Sequence, residues 1–145
     1  MIRTEQEHRA ALVRLEQEDA RVTEHRKALR REGLSASEVK RVMDPLVGFR
    51  DQLAEQIDAY ERLRRGEFGA LRNLRGLGSL LVGLRIASGL TQRELASRLG
   101  VHESQVSRDE RNEYHNLTLE RASRILDALG VELRTVVERT GLPAA

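Results

Sequence analysis

An all-α fold, a helical hairpin followed by a compact helical domain, is predicted by three properties of this 145-residue sequence. Only two prolines occur, so long stretches carry no helix breaker. Aromatic residues make up 3% of the chain, which leaves a core of Leu, Val, Ile and Ala, a composition suited to helices rather than a sheet. The apolar residues recur three and four apart, the spacing of one helical face.

The first element runs from Ile2 to about Arg31. It is polar, free of Pro and Gly, and its Leu12, Leu15, Val22 and Leu29 form a narrow coiled-coil-like seam in which Asp19 and Arg26 take intervening positions. Gly33 ends it, and Ser35 with Glu38 offers a capping box for a second element. Val39, Val42, Leu46, Phe49, Leu53, Ile57, Tyr60 and Leu63 give that element an apolar stripe. Asp44-Pro45 either restarts a helix or kinks a continuous one. The restart is favoured, because Asp caps well and Pro suits the first helical position. A lone hairpin buries too little to stand by itself. Its seam therefore calls for a cover: a second copy, a partner protein or the C-terminal domain. The homodimer is preferred, with Leu12, Leu15, Val22, Leu29, Leu46, Phe49, Leu53, Ile57 and Tyr60 as its dimerisation residues.

Gly66, Gly69, Gly76 and Gly78 then break the helical pattern. The resulting division is an interaction segment at 1–65, a Gly/Arg-rich linker at 66–77, a helical domain at 78–137 and a tail at 138–145. Charge is uneven along the chain: −2 from Met1 to Glu61, +4 between Arg62 and Leu77, and zero beyond. The basic stretch is either a phosphate-neutralising surface or a solvated helix end.

Within the last domain, helices are expected at 79–88, 91–99, 103–112 and 118–129, with a short fifth segment after Val131. Thr91 and Glu94 form a capping box, Leu95 and Leu99 share a face with the small Ala96, and Gly100 permits a sharp turn. Val101 plugs the corner, and Val106 continues the buried stripe into a further short helix. Two short helices around such a turn are the arrangement that places a helix in the DNA major groove. Polar Glu103, Ser104, Gln105, Ser107, Arg108 and Arg111 lie between the buried positions and suit base edges or phosphates.

The run from about Ser79 to Val137 resembles the Cro/C1-type, or XRE, helix-turn-helix family. The resemblance rests on LR-x-x-x-G-LTQ-x-ELA-x-x-LGV, then VSR-x-E, then ALGV. It implies a five-helix domain that binds double-stranded DNA as a dimer, its third helix reading the groove. Carried over by position, Glu103, Ser104, Ser107 and Arg108 would read bases, Arg108 foremost because a guanidinium pairs bidentately with guanine. Gln92, Arg93, His102, Arg111, Tyr114, His115 and Asn116 would hold phosphates, although Tyr114 suits a core position equally well. Arg85 and Glu110 would form a structural ion pair. Three residues depart from the family pattern. Asp109 replaces an apolar residue and implies a wetter face or an Arg partner. Asn112 stands in for a glycine, being tolerant of the left-handed conformation. His102 replaces the usual Ser or Thr cap.

The resemblance implies a transcriptional regulator, a repressor by preference. A looser resemblance of domain order, through Tyr60-Glu61-Arg62-Leu63-Arg64-Arg65-Gly66, points to HigA-type antitoxins. It implies a toxin protein as an alternative partner. Catalysis is not expected. His102-Glu103-Ser104-Gln105-Val106 lacks the second histidine of a zinc helix, and Gly76-Leu77-Gly78 lacks the third glycine of a dinucleotide loop. The absence of cysteine rules out thiolate metal sites, disulfides and a Cys nucleophile. No cofactor or metal is expected. A cytoplasmic location is expected, since no apolar leader follows Met1 and no apolar run nears the ~20 residues of a membrane span.

Overall fold

The computed structural model describes residues 1–138, so most of the tail at 138–145 lies outside the described residues. Among the described residues six helices follow one another: α1 Glu5–Arg31, α2 Ala36–Arg64, α3 Leu77–Ala87, α4 Gln92–Leu99, α5 Glu103–Arg111 and α6 Leu119–Leu129. α1 and α2 form an antiparallel hairpin, closed at its tip by Gly33 in the left-handed conformation (φ 86°). The other four form the C-terminal domain.

Thr4 sets the start of α1. Its side chain accepts from the Glu7 amide while the Glu7 carboxylate accepts from the Thr4 amide. Met1–Thr4 is therefore not helical, and Ile2 turns into the core. Reciprocal boxes of the same kind start α2 at Ser35 and α4 at Thr91.

α2 runs unbroken through Pro45, which corrects the expected restart at Asp44-Pro45. Asp44 caps nothing; both its carboxylate oxygens accept from the Lys40 ammonium one turn earlier. A proline inside a helix costs about 3 kcal/mol. The stripe of Val39, Met43, Ile57 and Tyr60, all buried, gains more by staying in phase along one rod.

The hairpin carries two apolar clusters. At its tip Leu29, Val39 and Met43 pack together, flanked by Val22, Leu34, Leu46 and Val47. Toward its base Ala11, Leu15, Leu53, Ile57, Tyr60 and Leu63 join a larger core with Leu81, Val82, Ile86, Leu95, Val106 and Ile125 of the C-terminal domain. Polar side chains separate the clusters: Arg50 Nε donates to Asp19 Oδ1 at 2.6 Å across the hairpin. Of the nine seam residues assigned to dimerisation, Leu29, Ile57 and Tyr60 are thus buried inside the single chain, and Leu15, Val22, Leu46 and Leu53 are partly covered. Only Leu12 and Phe49 remain exposed. Most of the seam is thus packed within the single chain, its base against the C-terminal domain, one of the three covers that the sequence left open.

Gly78 belongs inside α3, and its hydrogen side chain is needed there. A Cβ at this position would lie 1.9 Å from the Glu113 carbonyl oxygen. The first turn of α3 therefore touches the backbone of the loop that follows α5. The fifth segment of the C-terminal domain is not a helix. Beyond the amide of Val131, which donates to the Leu126 carbonyl, residues 132–138 make no backbone hydrogen bond among the described residues. The β-branched Val131, Thr135, Val136 and Val137 disfavour a helix there.

Candidate nucleic-acid interface

α4 and α5 are short and joined by Gly100, which adopts φ 68° and ends α4 in a left-handed cap. Leu95 and Ala96 of α4 and Val106 of α5 are buried beneath the turn. This leaves one face of α5 outward. Ser104, Arg108 and Arg111 are exposed on it, with Glu103 and Ser107 half-buried.

His102 caps α5 through its ring. Nδ1 accepts from the Ser104 amide at 3.2 Å and lies 2.9 Å from the Ser104 hydroxyl. A neutral imidazole thus takes over the work of a Ser or Thr cap. Arg93, near the start of α4, donates to Glu103 at 3.0 Å and ties the two helix N-termini together. Arg108 and Arg111 have no carboxylate partner among the described residues, so their charges face solvent.

Beneath this surface Arg85 and Glu110 meet as a bidentate pair: Arg85 Nε lies 2.5 Å from Glu110 Oε1, and Nη2 2.7 Å from Oε2. Their exposures are 3% and 0%, so the pair is desolvated and depends on further bonds. Arg85 Nη1 donates to the Leu90 carbonyl and Nη2 to the Arg3 carbonyl. Glu110 Oε2 also accepts from Gln92 Nε2 at 2.8 Å. An amide nitrogen carries two hydrogens. One is committed to Glu110, and among the described residues the other hydrogen of the half-buried Gln92 has no acceptor.

Asp109 pairs with Arg121 of α6, which accounts for a charged residue at a position where the family has an apolar one. Asn112 is not left-handed: its φ is −93°. The turn is made one step later, with Glu113, Tyr114 and Asn116 at φ 50°, 53° and 61°. This conformation costs roughly 1–2 kcal/mol at each of Glu113 and Tyr114, and Asn116 tolerates it better. The contact of this loop with Gly78 helps hold it in place.

Tyr114 is buried at 6% exposure, and its hydroxyl is enclosed without a hydrogen-bond partner. It is a core residue, which corrects its assignment to phosphate; His115 and Asn116, exposed beside it, keep that possibility. Burial, with smaller contributions from Glu110 and Asp109, pushes the Tyr114 phenol well above its usual range. Below about pH 10 the phenol is neutral in both folded and unfolded chains, and above it only the unfolded chain ionises. Stability should therefore fall as pH rises past that value. Tyr114→Phe should remove this component and raise stability at neutral pH by about 1 kcal/mol, since an unpaired buried hydroxyl disappears. Chemical denaturation at pH 7 and pH 11 checks both expectations.

The basic joint proves less basic than its sequence. Arg62 pairs with Asp58, Arg64 with Glu5 and Arg65 with Glu67. Arg72 and Arg75 are exposed, in no ion pair among the described residues, and precede the α3 turn that touches Glu113. Sequence reasoning missed Arg3, whose carbonyl reaches the buried pair. Nothing local marks it, since its partner lies 82 positions away.

Among the described residues no group of His, Asp or Glu could hold a metal ion, and no helix is long and apolar enough to cross a membrane. No curated protein and no solved structure matches the chain. A helix-turn-helix family model matches residues 83–136, from the middle of α3 through the extended segment beyond α6. Over these residues the chain is similar to Cro/C1-type helix-turn-helix domains, a DNA-binding family, which supports a transcriptional regulator in general.

Proposed function

We propose that this protein is a sequence-specific repressor that binds a pseudo-palindromic operator as a homodimer, α5 of each copy entering the major groove. The observation that carries the reading is the outward face of α5. Arg108 and Arg111 stand there uncompensated while the helix is fixed from behind by the buried Arg85–Glu110–Gln92 cluster. In this reading Glu103, Ser104, Ser107 and Arg108 face base edges. Gln92, Arg93, His102, Arg111, His115 and Asn116 surround them as phosphate contacts, and Arg72 and Arg75 add charge beside the same loop. Two copies would present their α5 helices about 34 Å apart, one turn of the duplex. With most of the seam used inside the chain, the exposed Leu12 and Phe49, with Val13 and Val42 beside them in the hairpin helices, are the apolar residues left to meet a second copy.

The test starts from DNA selected by the wild type out of a random pool. Arg108→Ala should weaken binding to that DNA by about 1–3 kcal/mol and relax preference at one base position. Gln92→Ala should weaken binding to all sequences alike. Unchanged affinity and unchanged preference on Arg108→Ala would overturn the proposed readout.

A further inference from the structure

We propose that Arg3, in the segment that precedes α1, is a further DNA-backbone contact, supplied to the helix-turn-helix by the N-terminal end of the chain. The inference rests on the DNA-binding reading above. Residues Met1–Thr4 do not trail into solvent. Ile2 is 6% exposed and packs in the core shared with α3, α4 and α5. The Arg3 amide donates to Glu7 Oε2 at 2.8 Å, and its carbonyl accepts from Arg85 Nη2 at 2.8 Å. Arg3 therefore extends the row that runs Gln92, Glu110, Arg85, with main-chain bonds fixing its place.

From that position the guanidinium reaches the last turn of α5. Nη2 lies 3.5 Å from the Arg111 carbonyl, and Nη1 lies 3.3 Å from the Met1 carbonyl. Both partners are neutral carbonyls at long range, and no carboxylate pairs with Arg3 among the described residues. Its Nε is enclosed with no hydrogen-bond partner. The fold thus brings the positive charge of Arg3 to the last turn of α5, the turn that also carries Arg111, with no carboxylate paired to either among the described residues. Like charges gathered on one edge repel, and an anion between them relieves the cost. A phosphate diester of the duplex, flanking the groove that α5 enters, has the required chemistry.

A purely structural Arg3 would serve the α5 dipole and nothing else. Counterion release separates the two roles. Each phosphate contact contributes about 0.9 to the slope of log affinity against log salt concentration. On DNA selected by the wild type, Arg3→Met, which retains an apolar stem, should bind several-fold more weakly at low salt. Its slope should be shallower by about 0.9, while Arg3→Lys keeps the wild-type slope. Arg26→Ala, at the far end of the hairpin, removes the same charge and should leave the slope alone. A wild-type slope for Arg3→Met, or tighter binding by it, overturns the contact while leaving the DNA-binding reading intact. If the wild type selects no DNA and shows no salt-dependent binding, both fall.

Discussion

Glu110→Ala is expected to lower the stability of the whole chain by about 3–5 kcal/mol, because it strands the buried Arg85 guanidinium without its counter-charge. Arg85 is 3% exposed and cannot swing to water without pulling apart α3, α4 and α5. Gln92 loses its acceptor in the same step. For a chain of this size the thermal midpoint should fall by roughly 10 °C or more. A mechanism follows from the difference between breaking the pair and replacing it. Arg85→Met combined with Glu110→Leu removes both charges and fills the space with apolar atoms, which is often neutral or stabilising for such pairs. Thermal melts of Glu110→Ala and of the double variant therefore check the argument together. If the double variant were the less stable of the two, the cluster's value would lie in its bonds to Leu90, Arg3 and Gln92 rather than in charge balance.

Tyr60→Ala is expected to cost about 3–5 kcal/mol, the range for removing a large buried ring. Tyr60 is 5% exposed, with its ring 4.8 Å from that of His8, whose Nε2 lies 3.1 Å from Glu61 Oε1. The same residue was a natural choice for a dimer seam, and the two roles predict different behaviour. Loss of a contact inside one chain lowers stability by the same amount at every protein concentration. Loss of a contact between copies makes the midpoint depend on concentration. Denaturant unfolding at micromolar and at hundredfold higher concentration should give equal shifts for Tyr60→Ala. Because Ile57 and Tyr60 share a core with Leu81 and Ile86, the hairpin base and the C-terminal domain should melt in one transition.

The features legible in the sequence are those whose physics is local. Thr91 with Glu94, and Ser35 with Glu38, declare helix starts within four residues, and both caps form. The Leu95, Ala96, Gly100, Val106 pattern specifies two helices and the turn between them by spacing alone. What escaped depends on chain segments that meet only in the folded molecule. Pro45 was misread because its local cost was weighed without the tertiary gain of keeping Met43 and Ile57 in phase. Gly78 reads as a helix-breaking residue ahead of a helix at 79–88 until Glu113, 35 positions later, arrives against it inside α3. Tyr114 had two equal readings, and only the core behind it chooses between them. Asn112 carried the expectation of a left-handed turn, yet Glu113 and Tyr114 take it, where the loop is braced against α3. Arg85 and Glu110 were legible as candidates from motif position, whereas the contribution of Arg3 was not.

The polar break between the hairpin's two apolar clusters divides how the molecule yields under stress. Leu29, Val39 and Met43 form a small cluster of their own, insulated from the large core by Asp19 and Arg50. Opening the tip forfeits only that cluster, whereas opening the base forfeits the core on which α4 and α5 rest. The far end of the hairpin can breathe, be cut or be reshaped at little expense to the packing of α4 and α5. Evolutionary change at the tip is thereby uncoupled from the packing of the helix-turn-helix, while change at the base is not.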